Sequence, residues 1–414
     1  MKKLVAMILC VAMLMSLVSI ASAETATTTI TYACFSGSGE HEDTLKKMVE
    51  VFESKNPGIK VDVQLTGYND YFTALATKVG GGNAPDVYEM NMENFLAYML
   101  RNQCQDLTAL GVDTTPYSAG TINAVSSNGK LYAVPESFST CLLFYNKALF
   151  DQAGISYPTD DWTWADAQTA AEKIRALGDD IWGYNQPITY NEFYKSIAGN
   201  GGSLLNSDYT AFTVNTPENV AVLDAMIARV RGDKRVMPNK EDLAGRGDWD
   251  LFEAGKLGMV ITGVWAFSDF TSKCKFDWDV TVEPGFKDKA TFFFANVNCV
   301  SPSSKQQEAA AKFAQAMGSD PDIVQLRLDS SWELPTIADQ TKLSEYLTIT
   351  PPANRAAVFK SMDYAIAPPA LVEASAATEI VNNVLSTLET SDETAQAALD
   401  DIQSQLEDAD LLNK

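Results

Sequence analysis

Apolar and polar residues follow two different periods along the N-terminal part of the chain. From Leu45 to Phe52, apolar residues recur every three or four positions, which is the period of one helix face. Residues 59–65 alternate apolar and polar side chains one by one, which predicts a half-buried strand. The full predicted order comprises strands at 30–35, 59–65 and 86–90, with helices around 45–52 and 68–79.

Strands separated by helical crossovers predict a largely parallel sheet and hence an α/β lobe. In such sheets, ligands bind at the carboxyl ends of the strands, where the connections reverse. This rule indicates two places for a site, namely Phe35 with Ser36 after the first strand, and residues 89–91 after the third.

Capping residues predict helices in the middle and C-terminal parts of the chain. Thr163 can cap a helix whose inner face begins with Trp164. Thr216 can cap another, with Pro217 in the first turn, where a proline removes no helical hydrogen bond. Ser391 is predicted to cap the last helix. The absence of a low-complexity linker predicts that the chain passes between its parts several times.

A short positive start and a long apolar run open the chain. Two lysines precede residues 4–20, which are almost all apolar, and small residues follow at 21–23. This order is typical of a secretory signal peptide, and we predict that residues 1–23 are removed by cleavage after Ala23. No cysteine directly follows the cleavage position, so we expect no lipid anchor and a secreted protein, periplasmic or extracellular.

Length and charge limit the classes of protein. Removing 23 of the 414 residues would leave 391, which is too long for a single hydrophobic core and fits two domains. The formal charge of −23 would become −25, because two lysines leave with the signal peptide. A surface this acidic repels nucleic acid, so we expect no nucleic-acid partner.

Histidine and cysteine residues give little sign of catalysis or metal binding. The chain has one histidine, His41, and contains no GxSxG or HExxH motif, which disfavours a Ser-His-Asp triad and a multi-histidine metal site. Five cysteines follow the predicted signal peptide, without a CxxC pair, so we predict no metal and no cofactor. An odd number cannot all pair, and the sequence does not say whether two of them form a disulfide bond.

Short segments spread over nearly the whole mature chain form a further pattern. They are 56–61 (NPGIKV), 82–87 (GNAPDV), 129–135 (GKLYAVP), 143–150 (LFYNKALF), 153–155 (AGI), 163–164 (TW), 252–260 (FEAGKLGMV), 263–265 (GVW), 309–313 (AAAKF) and 334–336 (LPT). In order and spacing they resemble the family 1 extracellular solute-binding proteins, which include the maltose-binding and multiple-sugar-binding proteins.

The resemblance implies an α/β, two-lobed periplasmic-binding-protein fold of type II, with a ligand cleft between the lobes. By analogy, the N-lobe comprises 24–136 and 288–335, and the C-lobe comprises 137–287 and 336–414. We therefore expect a monomeric binding protein, rather than an enzyme, which captures a sugar and delivers it to the membrane subunits of an ABC importer.

A sugar site needs aromatic faces for the C–H surface and planar polar groups for the hydroxyls. The resemblance places Trp265 in a motif whose tryptophan stacks on a sugar ring, and matches Tyr190, beside Asn191, with a second stacking residue. Met90 stands where the maltose-binding branch has tryptophan. A monosaccharide, maltose or another oligosaccharide therefore all stay open as ligands.

Other candidate ligand-binding residues lie at strand ends, at the rim of the cleft or near the hinge. They are Phe35, Ser36, Tyr68, Glu89, Asn91, Glu136, Ser139, Phe294 and Trp332. Glu93 is a further carboxylate in this region, and a solvated helix face explains it equally well.

Two other functions stay open at this point. A secreted carbohydrate-active enzyme, such as a glycoside hydrolase, would use two carboxylates, and the chain has 54 acidic residues from which a pair could come. A binding protein for a polyamine or for glycerol phosphate is the other alternative. The candidate loops contain almost no Arg or Lys, which disfavours an anion, whereas Glu89, Glu93 and Glu136 leave a polyamine open.

Overall fold

The computed structural model describes residues 27–232, 235–337, 343–366, 368, 371 and 373–412. The predicted signal peptide over residues 1–23 lies outside these ranges. Within them, no helix combines the length and the apolar character that crossing a lipid bilayer requires.

Twelve strands occur in the described part of the chain. They are β1 (Thr28–Cys34), β2 (Ile59–Leu65), β3 (Val87–Asn91), β4 (Ser126–Ser127), β5 (Lys130–Leu131), β6 (Val134–Asn146), β7 (Trp182–Asn185), β8 (Leu257–Gly263), β9 (Trp278–Thr281), β10 (Thr291–Val300), β11 (Leu334–Pro335) and β12 (Ala365–Ile366).

The helices of the same ranges alternate with these strands. They are α1 (Glu42–Lys55), α2 (Tyr68–Gly80), α3 (Met92–Leu100), α4 (Ala119–Ala124), α5 (Lys147–Ala153), α6 (Trp164–Arg175), α7 (Tyr190–Gly199), α8 (Pro217–Val230), α9 (Lys240–Leu243), α10 (Asp248–Glu253), α11 (Ala266–Lys273), α12 (Gln307–Ser319), α13 (Pro321–Asp329), α14 (Leu343–Tyr346), α15 (Ala356–Ser361), α16 (Ala374–Leu385) and α17 (Ala395–Asp408).

One sheet runs through the whole molecule in the order β2-β1-β3-β10-β6-β8-β7. The first half of β6 pairs with β10, and its second half, from Cys141 onward, pairs with β8 and β9. Strands β6 and β10 therefore belong to two lobes at once, as the absence of a linker predicts. The expected largely parallel sheet is wrong in part, because β1 is parallel to β2 and β3 whereas β6 and β10 are antiparallel to most of their neighbours.

Separate hydrophobic cores define the two lobes. In the first lobe, β1, β3 and helices α1, α2 and α12 surround one cluster that includes Tyr32, Phe52 and Phe313. In the second lobe, the alternation of β6 divides its side chains between two cores, with Leu143 on one face and Phe144 on the other. A fourth cluster is helical and joins α7, α8, α16 and α17. The lobe boundaries derived by analogy stay a prediction.

Helix starts were predicted with mixed success. Thr163 caps α6 as expected and shares a reciprocal pair of bonds with Asp166. Thr216 occupies the cap position of α8, but its side chain makes no capping bond. The predicted cap at Ser391 is wrong, because Thr394 accepts the bond from Ala397 and opens α17. The N–H of Ser391 instead closes the preceding turn by donating to Thr387.

Candidate functional site

A buried carboxylate holds the turn that follows β1. Glu89 on β3 is fully buried, and its Oε2 accepts hydrogen bonds from the backbone N–H of Phe35 at 2.9 Å and of Ser36 at 3.0 Å. The Cys34 thiol donates to the same oxygen at 3.1 Å. Because these donors fix the backbone at the carboxyl end of β1, they also fix the position of the Phe35 ring.

Four aromatic side chains surround this strand end, and we refer to Phe35, Tyr68, Tyr71 and Phe72 as the first-lobe rings. The Phe35 centroid lies 5.5 Å from Tyr68, 5.1 Å from Tyr71 and 5.6 Å from Phe72. Phe35 is buried, whereas Tyr68 is 52% exposed at the start of α2. Tyr68 is therefore the member of the group that is open to a ligand.

A second aromatic group lies in the other lobe, and we refer to Trp265, Phe294, Phe292, Tyr194 and Tyr190 as the second-lobe rings. Neighbouring centroids in this order are separated by 5.2, 4.4, 6.3 and 6.1 Å. Trp265 and Phe294 are half-buried, so both keep accessible ring surface. The group thus forms a continuous stripe of rings from the end of β8 to the start of α7.

Gly263 makes room for the Trp265 ring. A Cβ atom at this position would lie 2.1 Å from the nearest ring carbon, which no side chain tolerates. The indole therefore folds back over the last residue of β8, and the Gly-x-Trp spacing has a steric reason. On the other side, the His41 ring bonds the Trp265 backbone from the first lobe.

The charge of Glu93 acts on one tyrosine in each of the two ring groups. Asn91 caps α3 by accepting from the N–H of Asn94 at 3.3 Å, and this cap places Glu93 in the first turn of the helix. Burial raises the pKa of both Tyr68 and Tyr190. The Glu93 carboxylate raises the pKa of Tyr68 further, and it adds a smaller effect at Tyr190, where Tyr194 contributes more.

The carboxylate of Glu93 is available to a ligand. Its Oε2 is buried and has no hydrogen-bond partner, although a buried polar atom normally has one. Burial raises the pKa of Glu93 to about 7. A ligand hydroxyl that reached Glu93 would satisfy this oxygen.

Contacts between the lobes flank this position. Ser375 Oγ donates to Asn94 Oδ1 at 2.9 Å, and Arg101 forms an exposed ion pair with Glu373 at 2.8 Å. The lobes are thus in contact beside α3, close to Glu93.

A network of buried polar groups lies among the strands shared by the lobes, and we refer to Glu136, Arg327, Asn298, Glu333 and Ser137 as the strand network. Glu136 forms an ion pair with Arg327 and accepts from Asn298 at 2.7 Å. Glu333 accepts from the Ser137 hydroxyl. Burial raises the pKa of both Glu136 and Glu333 to about 7. Each carboxylate in this network already has partners within the protein.

Three predicted site residues are placed by the structure in packing or backbone roles. Ser139 is buried on β6 and accepts a bond from the Val264 N–H at 3.2 Å. Trp332 is 1% exposed, with its ring stacked on His41 at 5.0 Å and the Arg327 guanidinium 4.5 Å from its centroid. Asn191 is half-buried next to Tyr190. A ligand role for each of them stays a prediction.

Sequence reasoning did not single out several members of the ring groups. Tyr194 lies four residues after Tyr190, which puts both on one face of α7. Phe292 lies two residues before Phe294, on the same face of β10. Both spacings were readable from the sequence once the first member of each pair was suspected.

Metal ligands do not cluster in this region. Over the described residues, no group of three or more His, Cys, Asp or Glu side chains is arranged to hold a metal ion. The groups present there are aromatic rings and two buried carboxylate oxygens, Glu93 Oε2 and Glu89 Oε1, which have no hydrogen-bond partner among the described residues.

Comparison with known proteins gives a family match and related sequences. The family described as bacterial extracellular solute-binding protein matches residues 38–323. A putative binding protein of Brucella abortus is 26% identical over 235 residues, and the match covers 54% of each chain, so this chain spans about half the length of that relative. The arabinooligosaccharide-binding protein of Bacillus subtilis is 24% identical over 347 residues, covering 77% of each chain.

Solved structures share the whole architecture. An ABC substrate-binding protein from Listeria monocytogenes, in complex with cycloalternan, is 41% identical, with a TM-score of 0.88 over 92% of this chain and 99% of that one. Maltose-bound MalE3 from T. maritima is 20% identical, with a TM-score of 0.79 over 92% of this chain and 100% of that one, and supports the fold alone.

Proposed function

The chain belongs to the bacterial extracellular solute-binding protein family, and from that premise we propose that it binds an uncharged oligosaccharide between its lobes and presents it to an ABC importer. The observation that carries this proposal is the position of Glu93. One oxygen of its carboxylate is buried and has no hydrogen-bond partner, and its charge acts on an exposed tyrosine of one lobe, Tyr68, and on a tyrosine of the other, Tyr190.

Sugar chemistry explains the two kinds of group. The C–H face of a pyranose ring is apolar and packs on aromatic faces, for which Trp265 and Phe294 offer accessible surface. The ring hydroxyls need acceptors, and an ionised carboxylate forms stronger hydrogen bonds than a neutral group. Glu93 would accept from one or two hydroxyls, and Asn191 would serve others from the second lobe.

The length of the second-lobe stripe favours an oligosaccharide over a single sugar. Five rings follow one another from Trp265 to Tyr190, with spacings of 4.4 to 6.3 Å. Three of these rings, Trp265, Phe294 and Tyr194, are half-buried, whereas Phe292 and Tyr190 are buried. A monosaccharide would cover only part of the three accessible rings. The relative from Listeria monocytogenes was solved with cycloalternan, and we extend a ligand of that class, a cyclic or linear oligosaccharide, to this chain.

Closure of the lobes would follow from contacts to both of them. A ligand that touches Tyr68 and Trp265 together stabilises the arrangement in which the lobes meet, because it has more contacts there than with either lobe alone. The pairs Ser375–Asn94 and Arg101–Glu373 would form in the same arrangement. The closed pair of lobes is the surface that the importer would recognise.

The remaining parts of the proposal concern location and chemistry. The family is extracellular, which agrees with a periplasmic or secreted protein. We propose that the protein acts as a monomer, uses the signal peptide predicted at 1–23, and releases its sugar unchanged. The carboxylates of the strand network do not supply a catalytic pair, because Glu136 and Glu333 already have partners within the protein.

A thermal-shift screen tests the proposal. The panel contains cycloalternan, maltotriose, an arabinooligosaccharide, diacetylchitobiose, spermidine and glycerol phosphate. A ligand at 100 times its Kd stabilises the folded state by about 2.7 kcal/mol, which gives a measurable shift. We expect at least one neutral oligosaccharide to produce it.

Two outcomes would contradict the proposal. A shift with spermidine or glycerol phosphate and none with any sugar would change the ligand class. Chromatography of the bound sugar after long incubation separates binding from catalysis, because shortened products would indicate a hydrolase.

A further inference from the structure

Two of the buried cysteines are direct neighbours. Cys104 lies four residues beyond the end of α3, and Cys299 lies on β10. Their sulfur atoms are 3.4 Å apart although 195 positions separate them in the sequence, and both residues are buried. Cys34 has a different environment, since its thiol donates to Glu89 at 3.1 Å.

The backbones beside these cysteines are already joined. The N–H of Gln105 donates to the carbonyl of Val300 at 2.8 Å, so the residues directly after the two cysteines form a hydrogen-bonded pair. A disulfide bond is about 2.05 Å long, so bond formation needs a further approach of the two sulfur atoms. The backbone hydrogen bond beside them already holds the two segments together.

We propose that Cys104 and Cys299 form a disulfide bond in the folded protein. In this reaction the two thiols lose two protons and two electrons as the Sγ–Sγ bond forms. A small disulfide, such as oxidised glutathione, accepts both electrons and both protons through a mixed disulfide and leaves as two thiols. The extracellular compartment of the family provides an oxidising environment for this exchange.

The exchange takes place before the core closes or during local opening. Both sulfur atoms are covered in the folded chain, and burial raises the pKa of Cys299 well above its usual range, so the folded thiol is a poor nucleophile. Once formed, the bond is protected from reductants by the same burial. It would then be a structural bond rather than a reversible switch.

The bond would connect the site to the shared strands. Helix α3 carries Glu93 in its first turn, and Cys104 follows its last turn, so a covalent link to β10 anchors the C-terminal end of the helix. It also closes a loop of 195 residues, and long loops lose the most conformational entropy in the unfolded chain. The proposal is independent of the nature of the ligand.

Peptide mapping without reduction tests the assignment. The purified full chain is refolded with oxidised glutathione, alkylated in denaturant with iodoacetamide and cut with trypsin. We expect a linked pair of peptides, 102–130 with 290–305, and alkylation of Cys34, Cys141 and Cys274. Alkylated Cys104 and Cys299, or a linkage between other cysteines, would overturn the proposal.

Matched variants test the effect on stability. Reduction should lower the melting temperature of the oxidised wild type by several degrees, and Cys104→Ser should be insensitive to reduction. Cys274→Ser serves as the control, because Cys274 directly follows α11 in the second lobe and the variant should keep the full response to reduction. A linked wild type whose melting temperature does not respond to reduction would contradict the stabilising role.

Discussion

Glu93 and Glu136 are two carboxylates whose pKa burial raises to about 7, but their surroundings differ in one respect. Glu136 has Arg327 on one oxygen and Asn298 on the other. Glu93 has a buried oxygen with no partner, and its charge acts on tyrosines of two lobes. The protein satisfies both oxygens of the first carboxylate, whereas one oxygen of the second has no partner among the described residues.

This difference separates a structural from a functional use of the same chemistry. A raised pKa is found for both residues, so this criterion alone would make them equally good candidates for a functional role. Only the inventory of partners distinguishes them, because a buried polar atom without a partner costs free energy that a ligand can recover. Removing partners from the first carboxylate should therefore affect folding, and changes around the second should affect binding.

The largest effect is expected from Arg327→Met. This change leaves Glu136 buried without its counter-charge, close to Glu333 and Glu89, and breaking a buried pair in this way costs about 3–5 kcal/mol of unfolding free energy. Urea unfolding of wild type and variant measures the loss. Arg246→Met is the control, because Arg246 is exposed and bonds only nearby carbonyls of its own turn.

A double variant sharpens this prediction. Adding Glu136→Gln to Arg327→Met removes the uncompensated charge and should recover part of the lost stability. If Arg327→Met lowered the free energy of unfolding by less than about 1 kcal/mol, the buried pair of Glu136 and Arg327 would not be important for stability.

The next effect in size concerns binding. Trp265→Ala removes the accessible indole from the end of the second-lobe rings, and we expect the affinity for the best sugar to fall about 30-fold, or about 2 kcal/mol. Calorimetric titration measures it. The melting temperature without ligand should change little, which is the opposite of the result for Arg327.

Trp162→Ala is the matched control for this tryptophan. Trp162 is also half-buried, but its ring packs near Phe150, with centroids 6.2 Å apart, and it belongs to neither ring group. The affinity of the Trp162→Ala variant for the sugar should equal that of the wild type. If the Trp265→Ala variant also bound the sugar with wild-type affinity, Trp265 would not belong to the proposed site.

The sequence predicted the local elements of the first lobe well for a physical reason. Strand β2 and helix α1 each turn one side toward the core, so their apolar residues recur with periods of two and 3.6 residues, respectively. The start of α17 was misplaced because Ser391 and Thr394 are both good caps, and the choice between them depends on the turn that precedes the helix.

A residue of the candidate site could be predicted from the sequence only where a short local motif contained it. Trp265 follows a glycine that its own ring needs, so a short motif predicts it. The partnership of Glu136 with Arg327 joins positions 191 apart, and no local period encodes such a pair. Glu136 was expected among the ligand-binding residues, and that role stays a prediction, whereas its two protein partners, Arg327 and Asn298, could not be predicted.

The smallest effect is expected from Glu93→Gln, and its pH dependence distinguishes the two carboxylates. With a pKa of about 7, Glu93 ionises between pH 6 and 8, and the ionised form accepts the stronger hydrogen bonds from sugar hydroxyls. Affinity of the wild type should therefore rise with pH over this range. The variant cannot titrate, so its affinity should be flat and about tenfold weaker at pH 8, or about 1.4 kcal/mol.

The free energy of unfolding should fall as pH rises, whereas the affinity for the sugar should increase. The pKa of Glu93 is raised on folding, so its contribution to stability is complete below about pH 4.5 and is lost as pH rises through about 7. Glu93→Gln should flatten this slope in urea unfolding without ligand. Glu136→Gln provides the comparison, because it should change the stability slope and leave the pH dependence of binding intact. If Glu136→Gln instead removed the pH dependence of affinity and Glu93→Gln kept it, the assignment of the two carboxylates would be reversed.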